Sequence, residues 1–192
     1  MWLRRRLDTA ERGREQLDRK LRILIPKRQR LQTRAARRRE EWIATHAEAQ
    51  TWLLRASLLG GQDAIRVATP SELVDVTVLW TSSMGLTYPE DITLANSGPN
   101  QPVLAGNAAV DPAATAFQAA LLAGARAAAV DEAVRRLDAE IAVTHRRMRA
   151  LDKRWLPWLQ NSLATLELSL EQAEQEDAMR LRRTTYPSTG GT

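Results

Sequence analysis

The sequence predicts a mainly α fold: a long antiparallel two-helix coiled-coil hairpin with a small middle head that contains a short β-hairpin. Three observations predict it. Apolar residues recur at alternating steps of four and three along both ends of the chain. Between those stretches lies a run that alternates as a strand does. Aromatic residues are scarce, with six Trp, two Tyr and one Phe in 192 residues. Rings carry much of the buried area of a compact core, so a chain poor in them and rich in Ala, Leu, Arg and Glu favours narrow helical seams.

The first helix is expected over residues 3–59. Positions 3, 7, 10, 14, 17, 21, 24, 28, 31, 35, 38, 42, 45, 49, 52, 56 and 59 hold thirteen apolar residues out of seventeen, among them Leu17, Trp42 and Trp52. A seam sustained over about eight heptads is that of a coiled coil, and its helix would be roughly 85 Å long. Gly13 lowers helix propensity by about 1 kcal/mol and suggests close approach of a neighbour. Pro26 lacks an amide hydrogen, and the seam continues in phase past it, so a kink is expected there.

Gly60-Gly61 is read as the stop of this helix. The head spans 60–115. Glu72 to Thr81 reads as a strand, Ser82-Ser83-Met84-Gly85 as its turn, and Leu86 to Leu94 as a return strand broken at Pro89. Thr69-Pro70-Ser71 is a break, and glycine, proline and asparagine recur from Asn96 to Asp111 as a loop. Asp111-Pro112 supplies an N-cap and an N1 proline for the second long helix, residues 116–183.

There the seam runs through 120, 123, 127, 130, 134, 137, 141, 144, 148 and 151, with nine apolar residues out of ten. It resumes at 156, 159, 163, 166, 170 and 173, five leucines and an alanine. The step from Leu151 to Leu156 is five residues, so the seam slips by one just before Pro157, as a kink or local unwinding requires. Residues 184–192 read as a flexible tail. Aligning the ends of the hairpin makes partner numbers add to 176–186 and sets Pro26 level with Pro157.

Charge is unevenly placed. Residues 1–60 hold 16 Lys/Arg against 7 Asp/Glu, residues 61–115 hold 1 against 6, and residues 116–192 hold 11 against 10. Arginine outnumbers lysine 25 to 3, which reads as composition bias. The absence of cysteine excludes disulfides and thiolate metal sites and fits a reducing compartment. The basic start, Met1 to Arg6, is followed by Asp8, Glu11 and Arg12 where a signal peptide needs an apolar run. The most apolar long window, Ala113 to Ala125, is too short for a bilayer, so the chain is expected to be soluble or peripheral to a membrane through partners.

Thr144-His145-Arg146-Arg147-Met148-Arg149-Ala150-Leu151, followed by Pro157, resembles a family run of Thr, a variable residue, Arg-Arg-Val-Asn-Ala-Leu-Glu and then Ile-Pro. Glu174 to Arg183, with Arg180, Leu181 and Arg183, is similar to the charged run that ends the same family. Ala10-Glu11-Arg12-Gly13 and Leu17 to Arg22 resemble its N-terminal motif. The family is that of the D subunit of V-type (archaeal/vacuolar-type) ATPases and ATP synthases, the central rotor stalk. Met148, Arg149, Trp155, Trp158 and Pro26 depart from its pattern. The resemblance implies a shaft that transmits torque between a hexamer of A and B subunits and a membrane ion-translocating ring. The F subunit would bind its side, and the C (or d) subunit would seat the head on the ring. It implies a cytoplasmic, membrane-peripheral, non-catalytic member of an ion-transporting and ATP-synthesising complex, with no cofactor and no direct membrane insertion.

The residues offer no competing chemistry. There is no phosphate-binding G-x-x-x-x-G-K-[ST] loop. His46 and His145 lie on different helices, and neither has a ligand at metal spacing on its own helix. Glu171, Glu174, Glu176 and Asp177 read as a solvated face. Arg37-Arg38-Arg39 reads as a contact to acidic loops of the hexamer or to water rather than to nucleic acid. The tryptophans Trp42, Trp52, Trp155 and Trp158 read as seam or partner contacts. The alternative is a basic coiled-coil hairpin that binds nucleic acid or scaffolds another complex, which predicts a steep salt dependence.

Overall fold

The computed structural model of the chain describes residues 1–69, 74–95 and 107–185, with 183–185 by backbone alone. In order they form α1 (Trp2–Ala68), β1 (Asp75–Ser83), β2 (Leu86–Ala95), α2 (Val110–Ala150), a five-residue π turn (Leu151–Trp155) and α3 (Leu156–Thr185). The fold is mainly helical, with one two-stranded antiparallel sheet in the middle, as the periodicities predict. The chain divides into two compact units, Met1–Leu21 with Val143–Thr192, and Arg22–Ala142.

The seams are the cores. Every buried residue of α1, namely Leu21, Leu24, Ala35, Ala49 and Ala56, occupies a seam position. On α2 the seam residues Ala120, Ala123, Ala127, Val130, Leu137 and Thr144 are buried likewise. Small side chains dominate both faces, and small residues let helix backbones approach closely. Ala129 and Ala133 are also buried although they lie off the seam. For Ala133 the reason is the sheet, since Tyr88 packs there with Leu137, Leu31 and Leu86.

In the unit Arg22–Ala142 the helices run antiparallel. Arg28 donates to Asp138 at 2.7 Å and Arg39 to Asp131 at 2.8 Å, so partner numbers fall as α1 advances. β2 is the strand that packs, burying Tyr88, Pro89 and Ile92, and β1 stays largely exposed. The Lys27 ammonium lies 5.0 Å over the Tyr88 ring, and Arg136 donates to the Thr87 carbonyl at 3.2 Å. Strand and helix pair are thereby tied at one level.

The return strand is not broken at Pro89. Trp80 pairs with Pro89 and Leu79 with Asp91, which leaves Glu90 as the extra residue of a bulge. Among the described residues neither strand has a second neighbour, so a proline without a donor costs no ladder bond on its outer side. Met84 (φ 51°) and Gly85 (φ 78°) both take positive φ, the combination that closes a two-residue hairpin. The proposed break at Pro70-Ser71, the start of the first strand at Glu72 and the loop between Asn96 and Gly106 lie outside the described residues.

Two boundaries differ from expectation. Gly61 leaves helical geometry (φ 67°, ψ −175°), yet helix resumes and runs to Ala68. Ala68 packs against Ala56, Ala109, Val110 and Ala113, so apolar contact holds about two more turns than the glycine pair suggests. At the other boundary, α2 begins at Val110, before Asp111 and Pro112. Asn107 takes the capping role instead: its Oδ1 accepts from the Ala109 amide at 3.0 Å and its Nδ2 donates to the Ala56 carbonyl at 3.1 Å. Gly60 makes room for that amide, because a Cβ there would collide with Asn107 Nδ2.

α2 is longer than its apolar window. By length and composition the helix from Val110 to Arg182 is apolar enough to cross a membrane, with a best mean hydropathy of 1.3. That apolarity is largely alanine, and its buried part faces α1 and the sheet.

In the other unit Arg4 donates to Glu167 at 2.7 Å and Arg14 to Asp152, again antiparallel. These partners lie several residues short of the register expected from aligned ends, as do those of Arg28 and Arg39. The physical reason is that α3 continues beyond the residues α1 can reach: from Leu168 to Arg182 every side chain is exposed. Pro157 lines a depression with Glu11, Arg14 and Glu15 of its own unit, and Pro26 belongs to the other unit.

Candidate functional site

Six of the family-motif residues singled out in the sequence, Thr144, Arg146, Arg147, Ala150, Leu151 and Pro157, lie along the chain around the junction of α2 and α3. The seam slip there has a definite form. Residues Leu151–Trp155 make one π turn, and the Leu156 amide donates to the Leu151 carbonyl five residues back. An α turn spends four residues on that bond, so the π turn absorbs the one extra residue between Leu151 and Leu156. Leu156 and Leu163 are then half-buried and Leu159 is 1% exposed, on the same seam as Thr144 before the turn. Pro157 follows immediately. It has no N–H to give, and a wide turn ahead of it is where a missing helix bond costs least.

Thr144 is 1% exposed and is the buried polar side chain of the seam. Leu151 is half-buried at the start of the π turn, while Arg146, Arg147, Ala150 and Pro157 are exposed. On the facing helix Leu17 is half-buried, and Arg12 is exposed and donates to the Asp8 carbonyl at 3.2 Å. Gly13 is no contact point, since a Cβ there would have nothing within 4 Å. Close approach occurs instead at Gly124, where a Cβ would stand 2.9 Å from Trp42 Nε1. Pro26 sits inside α1 with helical dihedrals. Arg180 lies 3.9 Å from Asp177, and Leu181 is 67% exposed. The Arg183 side chain is outside the described residues. Of the residues singled out in the sequence, the structure brings Pro157 into one depression with Arg14 of α1, while Thr144 and Leu151 lie on the seam and Arg146, Arg147 and Ala150 are exposed.

Nothing at this junction is arranged for bond chemistry. Its depression, about 530 Å³, is open and lined by Glu11, Arg14, Glu15, Asp152, Leu156, Pro157 and Gln160. Among the described residues no three metal-ligating side chains converge. His46 is held by Gln50 at 3.0 Å and lies beside the Trp42 ring. The carboxylate that stands out is Glu132 on α2, which the Arg136 and Arg135 guanidiniums hold below the ordinary carboxylate range through charged hydrogen bonds. That is a structural triad on a helix surface, with Arg136 continuing to the sheet. Trp52 packs against Ala56, Ala109, Val110 and Ala113, as a seam ring does. Asn107, Gly124 and Arg136 are the positions that sequence reasoning missed. Gly124 left the one usable signal, an isolated glycine within an apolar helical run.

Comparison with known proteins agrees with the fold. The family model described as the ATP synthase D subunit matches residues 1–185. The chain is 29% identical over 184 residues to the V-type ATP synthase D subunit of Thermotoga neapolitana, covering 94% of this chain and 91% of that one. It is 29% identical over 189 residues to the A-type ATP synthase D subunit of Pyrococcus abyssi, covering 94% and 87%. It is 27% identical over 189 residues to that of Haloarcula marismortui, covering 95% and 82%. With a match that takes in both long helices, the sheet between them and the π turn, the chain belongs to the ATP synthase D subunit family.

Proposed function

We propose that this chain is the central rotor shaft of a V/A-type rotary ATPase, transmitting torque between an ATP-hydrolysing or ATP-synthesising hexamer and a membrane ion-translocating ring. The observation that carries the reading is mechanical. Each unit holds an antiparallel helix pair, and the apolar seam keeps its face across the change of phase at Leu151–Trp155. Hydrogen-bonded helices with a continuous seam resist bending and twisting, which a shaft needs and an enzyme does not.

In this reading residues 3–59 and 116–183 are the two strands of the shaft, residues 60–115 the head, and residues 184–192 a tail. The paired termini enter the hexamer of A and B subunits. The F subunit binds the side, and the C or d subunit receives the head. The chain is non-catalytic, carries no cofactor and works at the cytoplasmic face without entering the bilayer. The motif residues Arg12, Gly13, Leu17, Thr144, Arg146, Arg147, Ala150, Leu151, Pro157, Arg180, Leu181 and Arg183 shape the shaft or its contacts.

The absence of native cysteine makes a direct test practical. A single Met84→Cys, at the exposed hairpin turn, accepts a bead or fluorophore in the assembled complex with the hexamer fixed to a surface. Unidirectional rotation of the label on addition of ATP is expected. Hydrolysis by a complex that contains the chain while the label stays still defeats the reading. A preparation that recovers nucleic acid and none of the A, B or F subunits would favour the nucleic-acid alternative.

A further inference from the structure

We infer that the outer face of the α2–α3 junction is a docking strip for an acidic segment of a neighbouring protein in the complex, with Trp155 and Trp158 as its apolar anchor; this rests on the chain working inside a multisubunit assembly. Arg146, Arg147, Arg149, Lys153 and Arg154 are all exposed. From residue 141 to residue 166 the only carboxylate is Asp152, which is already engaged by Arg14. None of the five cations has an acidic partner among the described residues. Elsewhere on α2 the cations are answered: Arg135 and Arg136 by Glu132, and Arg126 by Asp91 at 3.6 Å. The junction is therefore where charge is left uncompensated on this helix.

The two rings share that face. Trp155 is 48% exposed and Trp158 52%, and they meet edge to face at 6.0 Å. Within the π turn Leu151 stays half-buried on the seam and Asp152 reaches Arg14, while Lys153, Arg154 and Trp155 are exposed. Half-exposed tryptophans beside arginines form the composition of interface hot spots, where large rigid rings are desolvated at the centre and charges select the partner. Residues 146–158 cover about 20 Å of helix, the length of a short helix or loop.

Charge complementarity calls for an acidic partner, and the surroundings favour a protein over a nucleic acid. The rings pack against each other edge-on, which leaves no stack of parallel faces for successive bases. Exposed Glu11 and Glu15 flank the strip on α1, and exposed Glu171, Glu174, Glu176 and Asp177 follow it on α3. A phosphate backbone leaving the strip would run into these carboxylates. A protein segment carries its negative charge only where the strip is basic.

The test uses the full chain and the other soluble subunits of its own ATP synthase, assembled without it. Binding is titrated at low and moderate salt for the wild type, for Trp155→Ala with Trp158→Ala, and for Arg146→Gln with Arg147→Gln and Lys153→Gln. All these side chains are exposed, and circular dichroism checks that helix content is kept. Each variant is expected to bind at least about tenfold more weakly, and the charge variant is expected to lose much of the wild type's salt dependence. Variants within about twofold of a binding wild type overturn this inference and leave the shaft reading intact. A wild type that does not bind overturns both. Single-stranded oligothymidine that binds the strip more tightly than the other soluble components do, and is lost in the same variants, overturns the choice of a protein partner.

Discussion

The two units build helix pairs from opposite materials. In Arg22–Ala142 the seam is mostly alanine, the sheet covers a second face of α2, and all the buried apolar residues except Leu21 and Leu159 are found there. In Met1–Leu21 with Val143–Thr192 the seam is leucine and mostly half-buried, and exposed ion pairs such as Arg4–Glu167 flank it. Exposed pairs contribute about 0–1 kcal/mol each. Small side chains packed closely therefore produce the better-buried unit, and larger ones with less cover produce the weaker. Volume of side chain is not what stabilises this fold; coverage is.

The largest test of that comparison is truncation. Leu137 is 0% exposed under Tyr88, and Leu137→Ala should cost about 2–5 kcal/mol in denaturant unfolding. Leu163→Ala, at a half-buried seam position of the weaker unit, should cost less than half as much. Equal costs would break the contrast.

Next comes the junction. Deleting Lys153 restores the four-residue step between Leu151 and Leu156 but leaves Pro157 inside an ordinary helix, a cost of about 3 kcal/mol. Adding Pro157→Ala to the deletion should return most of it. If the deletion alone is harmless to the melting temperature, the π turn and the proline are not coupled.

A matched pair of glycine substitutions sharpens the contrast at smaller scale. Gly13→Ala meets open space and should stabilise by about 0.5–1 kcal/mol through helix propensity. Gly124→Ala puts a Cβ 2.9 Å from Trp42 Nε1 and 3.1 Å from its Cδ1, so the same propensity gain should be cancelled or reversed. Tryptophan emission should shift only in the second.

The smallest effect is one of pH. Glu132 has its folded pKa below its ordinary 4.5, so the stability it contributes is present above that value and is lost as pH falls through the folded one. Glu132→Gln should flatten the acid limb of the stability profile slightly and leave the neutral plateau nearly in place. An unchanged limb would show that the triad with Arg135 and Arg136 is not formed in solution.

Much of this was legible because period is a backbone property. Every buried residue of α1, from Leu21 to Ala56, lies on the predicted seam, although the seam positions Trp42 and Leu59 are exposed, and the five-residue step before Pro157 announced an irregular turn without saying that it would be a π turn. Single boundaries were less legible. Gly60-Gly61 reads as a stop, but the break is confined to Gly61 because Ala68 still finds apolar neighbours. Asp111-Pro112 reads as a cap, but Asn107 reaches two backbone groups at once, and only tertiary placement reveals that. The inter-helix register was misjudged because aligned ends ignore an overhang. The extra burial of Ala133 depends on a strand over forty residues away in sequence, which helix period cannot encode.

The overhang has a consequence of its own. Beyond Glu167 the exposed side chains of α3 include Leu168, Leu170, Met179 and Leu181, and among the described residues no second helix buries them. A lone helix of this length is marginal in water, because nucleation is costly and no packing offsets it. Amide exchange along α3 should therefore be slow through Leu159 and fast past Leu168, and binding a partner there should convert the fast stretch to slow. The tip of α3 would then acquire its order on assembly, so that complex formation and the last step of folding are one event.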